Sequence, residues 1–143
     1  MAPNASRSSI LICTSFQYPF YPWRYLRSEW QNVVNTPLEV GSDGREFRRV
    51  VENHWLPALH AFKPDLVMIS AGFDAHRDDP MGDLCLEDED FYWVTHLAME
   101  IATLYADNRI VSVLEGGYNP KSLASGVEAH LKALLGLPFA EVP

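Results

Sequence analysis

The stretch that most constrains this chain begins at Leu66, where an apolar run leads directly into a loop of acids and small residues. The run Leu66-Val67-Met68-Ile69 is apolar at every position, without the alternation of a strand that has one face in water. A continuous apolar strand is typical of a parallel sheet covered on both faces. Small residues at 70–72 let the backbone turn tightly where the strand ends. The sequence therefore predicts a central parallel strand that opens into a loop.

Asp74 lies just past the carboxyl end of this predicted strand. Open α/β sheets bind their ligands at that end, and a carboxylate there is a natural ligand for a metal ion. The alternative is that Asp74 is a solvated loop acid or a helix cap. Its position alone leaves both interpretations open.

The rest of the chain alternates strands and helices. Apolar runs predict strands at 10–14, 32–36 and 109–114, and the 3.6-residue period predicts helices at 45–62, 87–106 and from 120 to about 135. Pro57 predicts a bend in the first helix, and Leu104 is predicted to face inward. The order indicates one α/β domain over residues 1–143, with a parallel sheet, flanking helices and a loose arm at 1–8.

Two further loops are expected at the same edge of the sheet as Asp74. An aromatic loop at 15–30, led by Phe16, follows the first strand, and Glu115-Gly116-Gly117-Tyr118 follows the last one. Paired glycines let the backbone turn sharply or approach a ligand closely. The aromatic loop, the carboxylate and the tyrosine are therefore predicted to share one cleft.

The composition narrows the possible partners and the compartment. Lys and Arg number 11 against 19 Asp and Glu, a net charge of −8, which disfavours direct nucleic-acid binding and suits a cationic substrate or a metal. The sequence shows neither a signal peptide nor a membrane span. Cys13 and Cys85 lie far apart and form no CxxC motif, so we expect free thiols in a cytoplasmic protein.

Four segments, in order along the chain, resemble the histone deacetylase superfamily. They are CTSFQYPFYP, FRRVVENHWLPALHAFKPDLV, SAGFDAHRDDP and VLEGGYN, and the resemblance extends from Ile10 to Leu135. The likeness is greatest to bacterial histone deacetylase-like proteins and acetylpolyamine amidohydrolases. It implies the carboxyl-terminal half of the arginase/deacetylase fold. It also implies zinc-dependent hydrolysis of an acetyl amide, in acetyl-lysine or in an acetylpolyamine.

The resemblance implies roles for individual residues. Asp74 matches the second aspartate that binds zinc in the family, and Tyr118 matches the catalytic tyrosine, whose hydroxyl stabilises an oxyanion. Gly116 and Gly117 match the glycines that shape the pocket beside that tyrosine. Tyr21 matches a position that lines the substrate channel.

The chain departs from the family pattern at the other metal ligands. A catalytic zinc usually has three protein ligands, and the family takes two of them from an Asp-x-His motif on an earlier strand and has two adjacent histidines in a still earlier loop. Here the only Asp-x-His is Asp74-Ala75-His76 itself, and no two histidines are adjacent. We interpret His76 as a residue that supports the site or the loop. The alternative is that it binds the metal, since residues i and i+2 of an extended segment point the same way.

Three interpretations follow from the missing ligands. The chain is a truncated deacetylase, it pairs with an amino-terminal half made separately, or it is a non-catalytic module on a deacetylase scaffold. A sheet cut in half leaves open strand edges and bare apolar faces. We therefore expect a homo-oligomer or a complementary amino-terminal half as the partner.

Overall fold

The computed structural model of the chain describes residues 9–20 and 32–140. Its elements are β1 (Ile12–Gln17), β2 (Val33–Leu38), α1 (Gly44–Val50), α2 (Leu56–Phe62), β3 (Val67–Ala71), α3 (Asp88–Tyr105), β4 (Ile110–Leu114) and α4 (Pro120–Leu134). The predicted α/β class is confirmed, whereas the predicted loose arm at 1–8 lies outside the described residues. Within those residues, no helix is both long and apolar enough to cross a bilayer.

The described strands form two parallel pairs. In the first pair Ile12 of β1 lies opposite Val33 of β2, and in the second Val67 of β3 lies opposite Ile110 of β4. Parallel pairing puts the carboxyl ends of both strands of a pair at one edge, so the loops that follow β3 and β4 start side by side. The predicted parallel pairing is therefore confirmed.

Strand β1 extends further than the sequence predicts. A loop was expected from Ser15 onward, but Phe16 and Gln17 still pair with Pro37 and Leu38 of β2. The expectation that Phe16 leads a loop is therefore wrong. The prolines that favour a loop begin only at position 19, and nothing before them interrupts strand pairing.

A wide turn stands where Pro57 predicts a bend. Val51–Trp55 forms a π-helical turn between α1 and α2, and the N–H of Leu56 reaches back to the carbonyl of Val51. Pro57 has no N–H to donate, so the regular ladder of i→i−4 bonds is interrupted at that residue. A π turn is one of the ordinary ways in which a helix absorbs such an interruption.

The acids at 87–90 tie α3 to α1. Asp90 accepts the backbone N–H of Glu87 at 3.0 Å, which closes the first turn of α3. The same buried carboxylate lies 2.8 Å from the Arg48 guanidinium, and that guanidinium lies over the ring of Trp93. Besides complementing the dipole of α3, this run of acids therefore joins two helices.

The core lies between the helices and one face of the β3–β4 pair. Phe73 is almost fully buried, with its ring centroid 5.1 Å from that of Phe91. The buried side of α4 is made of small and polar residues: Ser122, Gly126, Ala129, His130 and Ala133. A Cβ on Gly126 would lie 2.8 Å from the Phe73 ring, so the missing side chain lets α4 approach the core closely.

One position predicted to face inward does not do so. Leu104 of α3 is exposed, and the prediction for it is wrong. Leu131 of α4 and Leu135 just after it are exposed as well. The contact between α3 and α4 instead uses small side chains, which a search for large apolar residues overlooks.

The other face of the β3–β4 pair is uncovered in the described part of the chain. This bare face consists of Leu66, Met68, Val111 and Val113, all exposed, with Met68 at 69 % and Val113 at 53 %. The expectation of a strand covered on both faces is therefore wrong for these residues, because α3 and α4 pack on the same side. An apolar face of this kind is what a parallel sheet exposes when one covering layer is missing.

Candidate functional site

Two loops meet at the carboxyl edge of the β3–β4 pair. The N–H of Phe73 donates to the carbonyl of Gly116 at 2.8 Å, and the N–H of Glu115 donates to the carbonyl of Ala71 at 2.9 Å. These bonds continue the strand pairing past the last strand residues. The loop that carries Asp74 is thereby fixed against the loop that opens with Glu115.

The Asp74 carboxylate lies directly against Gly116. A Cβ on Gly116 would come within 2.7 Å of the carboxylate carbon, and one on Gly72 would lie 3.1 Å from its Oδ1. The first distance is shorter than any ordinary non-bonded contact, so only glycine fits at position 116 while Asp74 keeps this orientation. The first of the two paired glycines is therefore required for steric reasons.

The surroundings of Asp74 disfavour its charged form. Partial burial between the two loops raises the pKa of its carboxyl above the ordinary value, a backbone hydrogen bond opposes that shift, and the charges of Asp79 and Glu115 add to it. A carboxylate crowded by other acids at the ligand-binding edge of a sheet is a favourable place for a cation.

Tyr118 is fixed by its backbone, while 58 % of the residue is exposed. Its N–H donates to Oδ2 of Asp79 at 2.7 Å. Gly117 before it has a φ of 134°, a conformation that favours glycine. After it, Asn119 caps α4 by accepting the N–H of Lys121 at 2.9 Å.

His76 is buried, and both ring nitrogens face protein groups. Its Nδ1 accepts the N–H of Asp78 at 3.0 Å, so the ring proton is on Nε2, which lies 3.6 Å from Oδ1 of Asp88. The ring also stacks on Phe91. Neither nitrogen then has a lone pair available for a metal, which supports the interpretation that His76 holds the loop in place.

Asp79 is the first of two site residues that the sequence reading did not single out. It is 6 % exposed, and besides Tyr118 it accepts the N–H of Met81 at 2.9 Å. An aspartate that bonds the N–H two residues on, followed by Pro80, is a recognisable turn. That turn signal was available, but it gives no hint of the bond to a distant loop.

Gln17, at the end of β1, is the second site residue that the sequence did not reveal. Its Nε2 donates to Oδ2 of Asp83 at 3.1 Å, and its Oε1 accepts the N–H of Asp83 at 2.8 Å. This pair of bonds attaches the β1–β2 pair to the loop that follows β3. Nothing in the sequence distinguishes Gln17 from any other polar residue in a strand.

The described residues do not form a zinc site on their own. Within 9–20 and 32–140, no group of three or more His, Cys, Asp or Glu is placed to hold a metal ion. Asp74 fits one ligand, whereas a catalytic zinc usually has three from the protein. Tyr21, predicted to line the substrate channel, lies outside the described residues.

Comparison with known proteins decides the family. A model of the histone deacetylase domain matches residues 4–134. The chain belongs to the histone deacetylase family. This match confirms the resemblance seen in the four sequence segments. Members of this family are generally zinc-dependent.

The relatives are longer than this chain. An uncharacterized protein of Synechocystis sp. is 41 % identical over 129 residues, which are 88 % of this chain and 41 % of that protein. Type-2 histone deacetylase 2 of Dictyostelium discoideum is 41 % identical over 107 residues, which are 73 % of this chain and 6 % of that protein.

A solved structure confirms the predicted fold. The crystal structure of the HDA15 HD domain superposes with a TM-score of 0.80 at 29 % identity, covering 90 % of this chain and 38 % of that chain. The arginase/deacetylase fold is therefore present over the matched part. In each comparison the chain spans less than half the length of the protein it matches.

Proposed function

We propose that this chain supplies the carboxyl-terminal part of a zinc-dependent deacetylase site, which hydrolyses the acetyl amide of acetyl-lysine or of an acetylpolyamine. The observation that carries the proposal is the contact between Asp74 and Gly116, in the loop that also bears Tyr118. This contact brings a potential metal ligand and a hydroxyl donor to adjoining loops. Both loops lie at the edge of a parallel sheet where ligands bind.

Asp74 would be one zinc ligand in the complete site. The pKa of its carboxyl is raised by partial burial and by the neighbouring charges of Asp79 and Glu115. A cation that binds there relieves the repulsion between the acids. A loop acid without charged neighbours attracts a cation less strongly. This supports Asp74, among the acids of the described residues, as the metal ligand.

Tyr118 would act through its hydroxyl. Because its backbone is held and the residue is exposed, the side chain is available to donate a hydrogen bond to the oxyanion that forms when water adds to an acetyl carbonyl. Gly116 leaves the space that the Asp74 carboxylate occupies, and a side chain on Gly117 would collide with the core. Both glycines would thereby shape the pocket beside the tyrosine, and Tyr21 would line the substrate channel.

The remaining zinc ligands would come from a complementary amino-terminal half of a deacetylase domain. The bare face supports this partner, since a parallel sheet normally carries a covering layer there. The chain spans 38 % of a solved deacetylase chain, so the rest of such a chain is long enough to supply both ligands and cover.

Zinc content tests the proposal. The chain is loaded with zinc and dialysed, alone and after mixing with the part of the Synechocystis relative that it does not match. Alone it should retain little zinc. The mixture should retain about one zinc per complex, as a single catalytic site does, and should release acetate from an acetyl-lysine peptide or an acetylpolyamine.

Two variants control this experiment. Asp74→Ala should abolish zinc retention by the mixture, whereas Asp78→Ala, which removes an exposed acid of the same loop, should leave it unchanged. Zinc retention that survives Asp74→Ala contradicts the assignment of the ligand. Release of acetate from only one of the two substrates identifies the substrate class.

The bare face also favours a second function, that of a non-catalytic module that associates through it. Such a module would form a stable homo-oligomer, because the apolar side chains of two copies would cover each other. Sedimentation velocity separates the two functions. A stable dimer that neither combines with the complementary half nor retains zinc would establish the module.

A further inference from the structure

Asp79 is buried in a loop whose neighbouring residues are in water. It is 6 % exposed, whereas Asp78 and Pro80 on either side of it are exposed. Burial of a carboxylate is costly unless hydrogen bonds replace the lost water. A carboxylate that is buried at the surface of a loop therefore has bonding partners that hold it there.

Both oxygens of this carboxylate accept backbone N–H groups, one from each of the two loops. Oδ1 bonds Met81 in its own loop at 2.9 Å, and Oδ2 bonds Tyr118 in the loop after β4 at 2.7 Å. Bonds from an N–H to an ionised carboxylate are stronger than those between neutral groups. One side chain thus turns its own loop and fixes the neighbouring one.

A second bond next to it reinforces the same connection. The Asn119 side chain donates to the backbone carbonyl of Asp78 at 2.8 Å. Residues 78 and 79 therefore bond to residues 119 and 118 respectively. We call this pair of contacts the loop clasp.

The position of Tyr118 depends on this clasp. The residue is exposed, and the glycine before it has a positive φ and imposes little restriction of its own. The contact between Asp74 and Gly116 positions the loop two residues before Tyr118. The bond from Asp79 is what fixes the backbone of Tyr118 itself.

We propose that Asp79 is a positioning residue, which sets the place of Tyr118 relative to Asp74 through the backbone N–H of Tyr118. The proposal rests on the proposed function for its catalytic consequence, but the clasp can be tested in this chain alone. Asp79 needs to touch neither substrate nor metal to have this effect. It acts by holding the two loops at a fixed separation.

The first test is amide hydrogen exchange, followed by NMR in the isolated chain. Asp79→Ala removes both acceptors, so exchange at the N–H of Tyr118 should become about ten-fold faster or more. Amides of α3 and α4 should keep their protection. Asp78→Ala is the matched control, since it removes an adjacent acid but leaves the backbone carbonyl that Asn119 uses, and it should change nothing at Tyr118.

A conservative variant guards against a failure to fold. Asp79→Asn keeps the shape and one acceptor oxygen, so exchange at Tyr118 or at Met81 should accelerate, but not at both. If Asp79→Ala unfolds, this variant decides the matter. If Asp79→Ala folds, unchanged exchange at Tyr118 in that variant overturns the proposal. If it does not fold, unchanged exchange at both Tyr118 and Met81 in Asp79→Asn overturns it.

The second test uses the zinc-loaded complex with the complementary half. Asp79→Ala, which removes both acceptors, should lower kcat about ten-fold with KM and zinc content unchanged, and Asp78→Ala should leave all three unchanged. Asp79→Asn takes its place if exchange at Tyr118 is faster in that variant. An active complex whose kcat is unaffected by the variant that frees the N–H of Tyr118 overturns the positioning role. If the amide of Tyr118 responds but no preparation releases acetate, the proposed function fails and the clasp stands.

Discussion

The two faces of the β3–β4 pair are alike in sequence and opposite in surroundings. On one face Ile69 and Ser112 lie under the helices, and His130 of α4 bonds the Ser112 hydroxyl at 2.9 Å. On the other face Met68 and Val113 are exposed. The strand residues of both faces are mostly apolar, so the sequence of the strands does not explain the difference.

The difference shows what the described chain can organise by itself. The helical face is completed by α3 and α4, which lie close to the strands along the chain. The bare face has no such neighbour in the described residues. Burying a side chain such as Met or Val contributes about 1.5 to 3 kcal/mol, so a partner that covered the bare face would gain binding energy from it.

The largest expected effect is a loss of stability confined to the helical face. Phe73→Ala should lower the free energy of unfolding by about 3 to 5 kcal/mol, because it leaves a cavity beneath Phe91 and Gly126. Met68→Ala, on the bare face, should change it by less than about 0.5 kcal/mol. Urea unfolding of both variants measures the contrast, and equal losses would show that Met68 is already buried in solution.

A charge on the bare face should act on association and leave the fold intact. Met68→Lys should weaken binding to a second copy or to the complementary half by about ten-fold or more, because binding would bury an unpaired charge. Its midpoint of unfolding should stay near that of the unsubstituted chain. Sedimentation velocity provides the readout, and Lys121→Met, a reverse exchange away from this face, is the control. Unchanged association in Met68→Lys would exclude the bare face as the interface.

The polar contact at the helical face should make stability depend on pH. The Thr95 hydroxyl donates to the carbonyl of Phe91 at 2.6 Å, so its oxygen accepts from His130 Nδ1 at 2.7 Å, and His130 Nε2 accepts from Ser112. Burial lowers the pKa of His130 below its ordinary value. The neutral ring is therefore the form that fits the folded chain.

The sign of the effect follows from that shift. The stabilisation is fully present above the pKa of the unfolded chain, about 6.5 for His. It is lost as the pH falls from there through the lower pKa of the folded chain. Urea unfolding at pH 7.5 and 5.5 should show this loss, and His130→Gln should reduce it, while the exposed control His96→Gln should not. An identical pH dependence in His130→Gln would exclude this histidine as its source.

The smallest expected effect on stability is at Asp74, at the carboxyl edge of the β3–β4 pair. The pKa of Asp74 is raised in the folded chain, so its ionised form disfavours folding at neutral pH, and the penalty disappears below the ordinary pKa of an aspartate. Asp74→Asn should therefore stabilise the chain at pH 7, by about 0.5 kcal/mol or less, because the partly buried carboxylate still contacts solvent, which screens the repulsion. Asp78→Asn should be neutral. A loss of stability in Asp74→Asn would contradict the argument from crowded charge.

Much of this arrangement follows from the sequence, because its signals are local. The apolar run before Asp74 predicted β3, and the 3.6-residue period from position 120 predicted α4. Parallel strands have their carboxyl ends at one edge, which was enough to bring the two loops together. The contact of Asp74 with Gly116 then follows from the small size of glycine.

The parts that were missed depend on contacts between distant residues. Asp79 looks like any loop acid until its bond to Tyr118 is seen. Part of the packing face of α4 is missed by a pattern of large apolar residues, because Gly126 and Ala129 contribute by being small. The bare face was expected only from the departure of the chain from the family pattern and not from β3 itself, since an apolar strand has the same sequence whether or not a layer covers it.

The wide turn at Val51–Trp55 gives the chain a place where its length can change. A π-helical turn contains one residue more than an α-helical turn, so removal of one residue there would leave an ordinary turn and keep α1 and α2 facing the same neighbours. Elsewhere in a helix the same deletion would rotate every later side chain by about 100°. Gain or loss of a single residue among related proteins should therefore be tolerated in the middle of this helix and poorly tolerated in α3 or α4.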